Sequence, residues 1–367
     1  MTNATGFCGS YRPDDVEFLL KRLAQQPFVD VAHKEQLIQS GARHYSEMLS
    51  PEALPSVRYL QVFNHAFAAN RQQMARDCLA LAALIAARRT GSITLVSLVR
   101  AGTPVGVILK HLLQRVMGRQ AVHYSVSIIR DRGIDQVALQ HILDQGHAPE
   151  SIVFIDGWTG KGVISRVLEQ AVIDFNQRNQ VAIDSGLYVL SDLAGTAACA
   201  ASSSDYLIPS SILNATVSGL VSRSVLNEAI GPTDFHGCVY YEDFEAHDQS
   251  RAFADGLSAD GVALAERDGI PDAAPIDRAK VAAISAEFLR ATMAQHRIND
   301  VNLIKPGIGE ATRVLLRRVP RLLILRDPEA PDVAHLKLLA VEKSVAISID
   351  PDLPYQAASL IRSALDG

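Results

Sequence analysis

Apolar positions change rhythm along this chain. From Pro13 to about Arg89 they recur with helical spacing: Val16, Phe18, Leu19 and Leu20 open one segment, and Ala66 to Ala87 form a long Ala/Leu-rich one ending near Arg88 and Arg89. This predicts an N-terminal helical lobe over residues 1–89. Next, short β-branched runs at 93–98, 124–129, 152–155 and 187–190 alternate with helical stretches. Continuous apolar strands separated by helices predict an α/β domain over 90–245, a parallel sheet covered on both faces. Between Ala246 and Pro275 the chain turns acidic and rich in Ala, Gly, Asp and Pro, the composition of a linker. After it, Asp277–Gln295, Gly309–Arg318 and Val333–Lys343 have helical spacing, and 322–325 and 345–349 read as strands. Residues 276–367 thus predict a small αβα sandwich.

Composition narrows the class. With 48% hydrophobic and 20% charged residues the chain is globular, and 367 residues exceed one ordinary core. A net charge of −5 excludes a whole-chain nucleic-acid footprint, so any RNA contact is local. Residues 276–367 carry thirteen Lys and Arg against eleven Asp and Glu, and the basic residues cluster between Lys305 and Arg326. Cys8, Cys78, Cys199 and Cys238 are scattered without metal-ligand or disulfide-framework spacing, which predicts no protein-held metal and a reducing, cytoplasmic setting. The first residues lack the plan of a signal peptide, and the longest apolar run, Cys78 to Ala87, is half a bilayer span; no membrane partner is expected.

In open parallel sheets ligands sit beyond the carboxyl ends of the strands. The loop after 152–155 reads Asp156-Gly157-Trp158-Thr159-Gly160-Lys161-Gly162 and opens a helix. Glycines let the backbone approach a phosphate, Thr159 and free amides donate to it, and the helix dipole favours its charge. Asp156 is suited to accept hydrogen bonds from sugar hydroxyls. The loop after 93–98 carries Arg100, Gly102 and Thr103, and Ile129-Arg130-Asp131-Arg132-Gly133 places two guanidiniums at a third. Asp205–Asn214 and Ser218–Ser224 are dense in small polar residues; Asn214, Ser222 and Arg223 are candidates to recognise an acceptor, and His236 is a candidate base.

The strand, Asp156 and Thr159-Gly160 turn resemble the type I phosphoribosyltransferase signature, with Gly157 where many members carry a second acid. The resemblance implies that Asp156 holds ribose hydroxyls and that residues 157–162 hold a 5-phosphate. Arg100, Gly102 and Thr103 would form the pyrophosphate loop, and Arg130 and Arg132 the catalytic hood. Substrate-bridged magnesium and phosphoribosyl pyrophosphate, or a related ribose phosphate, would be cofactor and partner.

Together with Phe7-Cys8-Gly9-Ser10-Tyr11 and Phe235-His236-Gly237, these motifs resemble a bacterial family of phosphoribosyltransferase-like proteins from tellurite-resistance and stress-response clusters, also described as a cysteine protease, StiP. Lys305-Pro306-Gly307-Ile308-Gly309-Glu310-Ala311-Thr312-Arg313 resembles the pelota and L7Ae-like RNA-binding fold. That implies Lys305, Gly307, Glu310 and Arg313 as RNA contacts, with Gly309 where kink-turn binders usually have Asn. The leading expectation is therefore a phosphoribosyltransferase acting on a base or nucleoside-like metabolite, with an RNA-binding-like C-terminal module. Two others stay open: a cysteine protease using Cys8, with His44, His123 or His236 as base, and a non-catalytic nucleotide-sensing RNA-binding protein.

Overall fold

The structure, a computed structural model, describes residues 6–24, 29–50, 52–272 and 275–362. Its centre is a six-stranded sheet, all parallel. In chain order the strands are β1 (Glu17–Leu19), β2 (Ile93–Leu98), β3 (Ala121–Val126), β4 (Ile152–Thr159), β5 (Leu187–Asp192) and β6 (Cys199–Ser202), and in space they run β1-β3-β2-β4-β5-β6.

Alternation divides the side chains between two cores. Ile93 and Leu95 of β2 and Val153 and Ile155 of β4 meet one face, and Val96, Leu98, Ile152 and Phe154 the other. The first face is covered by α2 (Val57–Arg88) and α3 (Gly102–Arg115), on which α6 (Ser250–Asp268) packs in turn. The second is covered by α4 (Gln136–Asp144), through Ala138, Leu139 and Ile142, and by α5 (Val163–Asn179), through Leu168, Val172 and Phe175. The helix starts obey capping chemistry: Ser56 accepts from the amide of Tyr59 ahead of α2, and Asp135 from those of Val137 and Ala138 ahead of α4.

Two segments depart from their reading. Residues 16–20 are not helical: β1 forms the sheet edge, and Phe18 and Leu19 go to opposite cores. Four apolar residues in five suit either period, and pairing with β3 decides the matter. The N-terminal region does hold α1 (Val31–Gln39) and α2. The stretch read as a linker carries α6, 19 residues long and packed on α2 and α3; of that stretch, Ala273 and Ala274 lie outside the described residues, as do residues 1–5 at the N-terminus.

The C-terminal unit holds α7 (Arg278–His296), β7 (Ile304–Pro306), α8 (Ile308–Arg317), β8 (Pro320–Leu325), α9 (Ala334–Glu342), β9 (Ala346–Ile349) and β10 (Ala357–Ile361), with sheet order β7-β10-β8-β9. Strand β8 pairs antiparallel with β10 and parallel with β9. Ile324 and Leu360 pack with Phe288 of α7, whereas Leu323 and Leu325 join a core containing Leu315 and Leu336, so helices cover both faces. This second core is continuous with the α2/α3 core of the large sheet. Among the described residues no helix is long and apolar enough to cross a membrane.

Candidate functional site

The C-terminal unit sits over the carboxyl ends of the large sheet. Between them lie three adjoining cavities that share Tyr45, Arg223 and Arg313. The walls are strongly basic, adding Arg100, Lys161, Lys305, Arg317 and Arg318 to the shared arginines. Bidentate hydrogen bonds from Arg318 to Glu35, 2.6 and 2.7 Å, tie α8 to α1. Asp205 accepts from the amides of Ile308, 3.0 Å, and Gln356, 2.8 Å, capping α8 from the other part of the chain.

Asp156 faces this cleft. It accepts from the Gly157 amide at 2.8 Å, and burial, only partly offset by Arg313, pushes its carboxyl up to about 6. The turn that follows does not present the predicted phosphate cradle. Thr159 is buried and donates to Asp192 at 2.5 Å, an interaction that also fixes the Ala194 amide. Gly160 lies under Glu310: a Cβ there would stand 2.8 Å from its Cγ. Glu310, itself bonded to Arg313, thus occupies the space over Gly160 where the anion was expected. Lys161 donates to the Val301 carbonyl at 2.5 Å, and burial beside Lys305 lowers it to about 7.

Other predicted residues divide between the cleft and structural roles. Gly102 and Thr103 are buried away from it: a Cβ on Gly102 would meet the Ile155 carbonyl at 2.4 Å, and the Thr103 and Ser125 hydroxyls pair at 2.7 Å. Arg130 lines the cleft but donates to Asn302, 3.0 Å, and pairs with Asp131; Arg132 pairs with Glu47 at 2.9 Å. Asn214 and Arg223 line the cleft, and Ser222 is buried, donating to the Arg223 carbonyl.

The expected RNA contacts point inward. Arg313 stacks on Trp158, 4.4 Å from the ring centroid, and bonds Glu310. A Cβ on Gly309 would lie 2.5 Å from that indole, and the Gly307 amide donates to Ala357. Arg317, Glu52 and Lys34 escaped the sequence reading because only tertiary contact, the bond from Arg100 to Glu52 at 2.7 Å above all, brings them here.

Cysteines and histidines lie elsewhere. Cys78, Cys199 and Cys238 are buried, and burial raises all three thiols, Cys238 to about 12. Cys8 is part-exposed in the turn 8–11, closed by the Tyr11 amide donating to the Cys8 carbonyl; its thiol meets the Gly9 carbonyl at 3.8 Å. Asp15, His111 and Ser258 form a hydrogen-bonded series at 2.8 and 3.0 Å, in the manner of an acid–imidazole–hydroxyl relay. With Ser258 at 0% exposure it joins α6 to α3 and is closed to substrate.

Fold and site define a two-part α/β protein: a six-stranded parallel sheet whose basic cleft is closed by a small C-terminal α/β unit. The model of the family described as tellurite-like stress resistance cysteine protease StiP matches residues 9–258, and that of the PELOTA RNA binding domain matches residues 283–363. The chain is 40% identical over 369 aligned positions to the cysteine protease StiP of Acinetobacter baylyi, covering 97% of this chain and 94% of that protein. The chain belongs to the StiP family.

These findings overturn the leading expectation. Family and relative carry the name of a cysteine protease and give phosphoribosyl transfer no support, nor phosphoribosyl pyrophosphate and magnesium with it. The physical reason the motif misled is local: Thr159 is spent on Asp192, and Glu310 covers Gly160.

Proposed function

We propose that the chain is a cysteine-dependent peptidase in which Cys8 is the nucleophile and His236 the base. The observation that carries this is exposure: of the four thiols, Cys8 alone is not buried, and the other three are also held protonated by burial. The family and the name of the Acinetobacter relative supply the reaction class.

Among the three histidines the sequence put forward, His123 is buried, lowered to about 3, with both ring nitrogens engaged by the Asp15 carbonyl and Ser97. His44 is bound through Nδ1 to Ser46. His236 is half-buried, its ring oriented by a 2.7 Å bond between Nδ1 and Ser127, and its backbone amide donates to Asp135 at 2.6 Å. Its carbonyl accepts from Lys21, while the carbonyl of Phe7 accepts from Phe18, so Cys8 and His236 flank the same stretch of chain. No hydrogen bond joins Cys8 to a histidine among the described residues, so the proposed reaction requires substrate binding to bring the two side chains together.

In the reaction, His236 takes the thiol proton as sulfur attacks the peptide carbonyl. The imidazolium returns that proton to the departing amine, and water hydrolyses the thioester. Hydrolysis of a denatured protein substrate tests the proposal: Cys8→Ala and His236→Ala should each lower kcat/KM by roughly 100-fold or more with the melting temperature retained. Undiminished hydrolysis by Cys8→Ala rejects it.

A further inference from the structure

One lobe of the cleft holds more buried positive charge than its neighbours neutralise. Arg100 is 8% exposed; its Nη1 donates to Glu52, 2.9 Å, and to the Val221 carbonyl, 3.0 Å, while its buried Nη2 has no partner among the described residues. Arg317 enters from α8, its Nε donating to Asn214 at 3.1 Å. Arg223 lines the same lobe, and its guanidinium makes no hydrogen bond or ion pair among the described residues. The hydroxyls of Ser210 and Ser211, also in this wall, are buried and unpartnered. Burial and mutual repulsion disfavour the charged forms of Arg223 and Arg317.

Leaving buried donors unmet is costly, more so for charged groups, and three guanidiniums around one bonded carboxylate leave the site short of negative charge. Asp156, across the lobe, adds a second carboxylate near neutral pH, so three guanidiniums still face two. We propose that this lobe binds a small phosphorylated ligand, held jointly by Arg100 and Arg223 of the large sheet domain and Arg317 of the C-terminal unit.

A tetrahedral polyanion fits better than a carboxylate because it brings more than one negative charge and enough oxygens to meet guanidinium and serine donors together. A nucleic-acid strand fits worse, since Arg313 stacked on Trp158 and Gly309 against its indole close the lobe on the C-terminal side. The ligand binds on the wall of Arg100, the one residue of the expected pyrophosphate loop whose side chain reaches the lobe, joined by Arg223 and Arg317, and not at the 157–162 turn. No bond is made or broken, and the inference is independent of the thiol chemistry. Because both parts of the chain contribute, bound ligand stabilises their docking.

Calorimetry on the full chain with inorganic pyrophosphate, citrate and a short single-stranded RNA tests this. Saturable pyrophosphate binding is expected, with a melting temperature that rises with its concentration. Arg317→Gln and the Ser210→Ala/Ser211→Ala pair should each weaken binding at least tenfold, the serine variant serving should Arg317→Gln not fold. Absence of pyrophosphate binding, unchanged affinity in the variants that fold, citrate binding as tightly, or RNA binding that pyrophosphate does not displace overturns the proposal.

Discussion

At Asp156 burial opposes ionisation, lifting the carboxyl from 3.8 to about 6. An aspartate raised on folding weakens the fold wherever it is ionised. The penalty is absent below its unfolded value, grows as pH rises towards the folded one, and is complete above it. Asp156→Asn should therefore be more stable than the parent at pH 7 by on the order of 1–2 kcal/mol, discounting for partial exposure, and about equal to it at pH 3. Urea unfolding across that range checks it; a stability difference that does not grow with pH contradicts it. Asp156 was legible because a strand ending in Asp-Gly is a local pattern. The commitment of Thr159 to Asp192 was not, because that partner lies on the next strand of the sheet. Cys8 stood out in sequence only through the motif at residues 7–11: its candidacy now rests on exposure, and the family match begins one residue after it.

Among the elements, α8 shows how a correct motif can face an unexpected way. Its opening, read as an RNA-binding turn, is where the C-terminal unit docks on β4 through Gly309, Trp158 and Arg313. Trp158 is the sole tryptophan of the chain and 9% exposed, so its emission reports this docking. Gly309→Ala places a methyl 2.5 Å from the indole and should shift that emission to the red and raise acrylamide quenching. Unchanged emission and quenching mean that the helix end is free to move away from β4. The parallel strands were readable because a sheet buried on both faces writes unbroken apolar runs. Helix α6 was not, since an Ala- and Gly-rich helix packed through small side chains has the composition of a linker.

Across the whole molecule one apolar core joins Leu79 and Leu81 of α2 to Leu315 and Leu336 of the C-terminal unit, and Asp205 and Glu35 add polar ties. The two parts should unfold together: calorimetry should give one transition with equal calorimetric and van't Hoff enthalpies, and two resolved transitions contradict a shared core. No local pattern in the sequence announced this union, because each part has a complete fold signature of its own and the joining contacts lie far apart in the chain. The proposed peptidase function rests on the thiol that this arrangement leaves open. Titration of the native protein with iodoacetamide, followed by peptide mapping, tests that most directly. One adduct per chain at Cys8, formed in proportion to the loss of peptidase activity, is the predicted result; full activity after complete modification of Cys8 contradicts it.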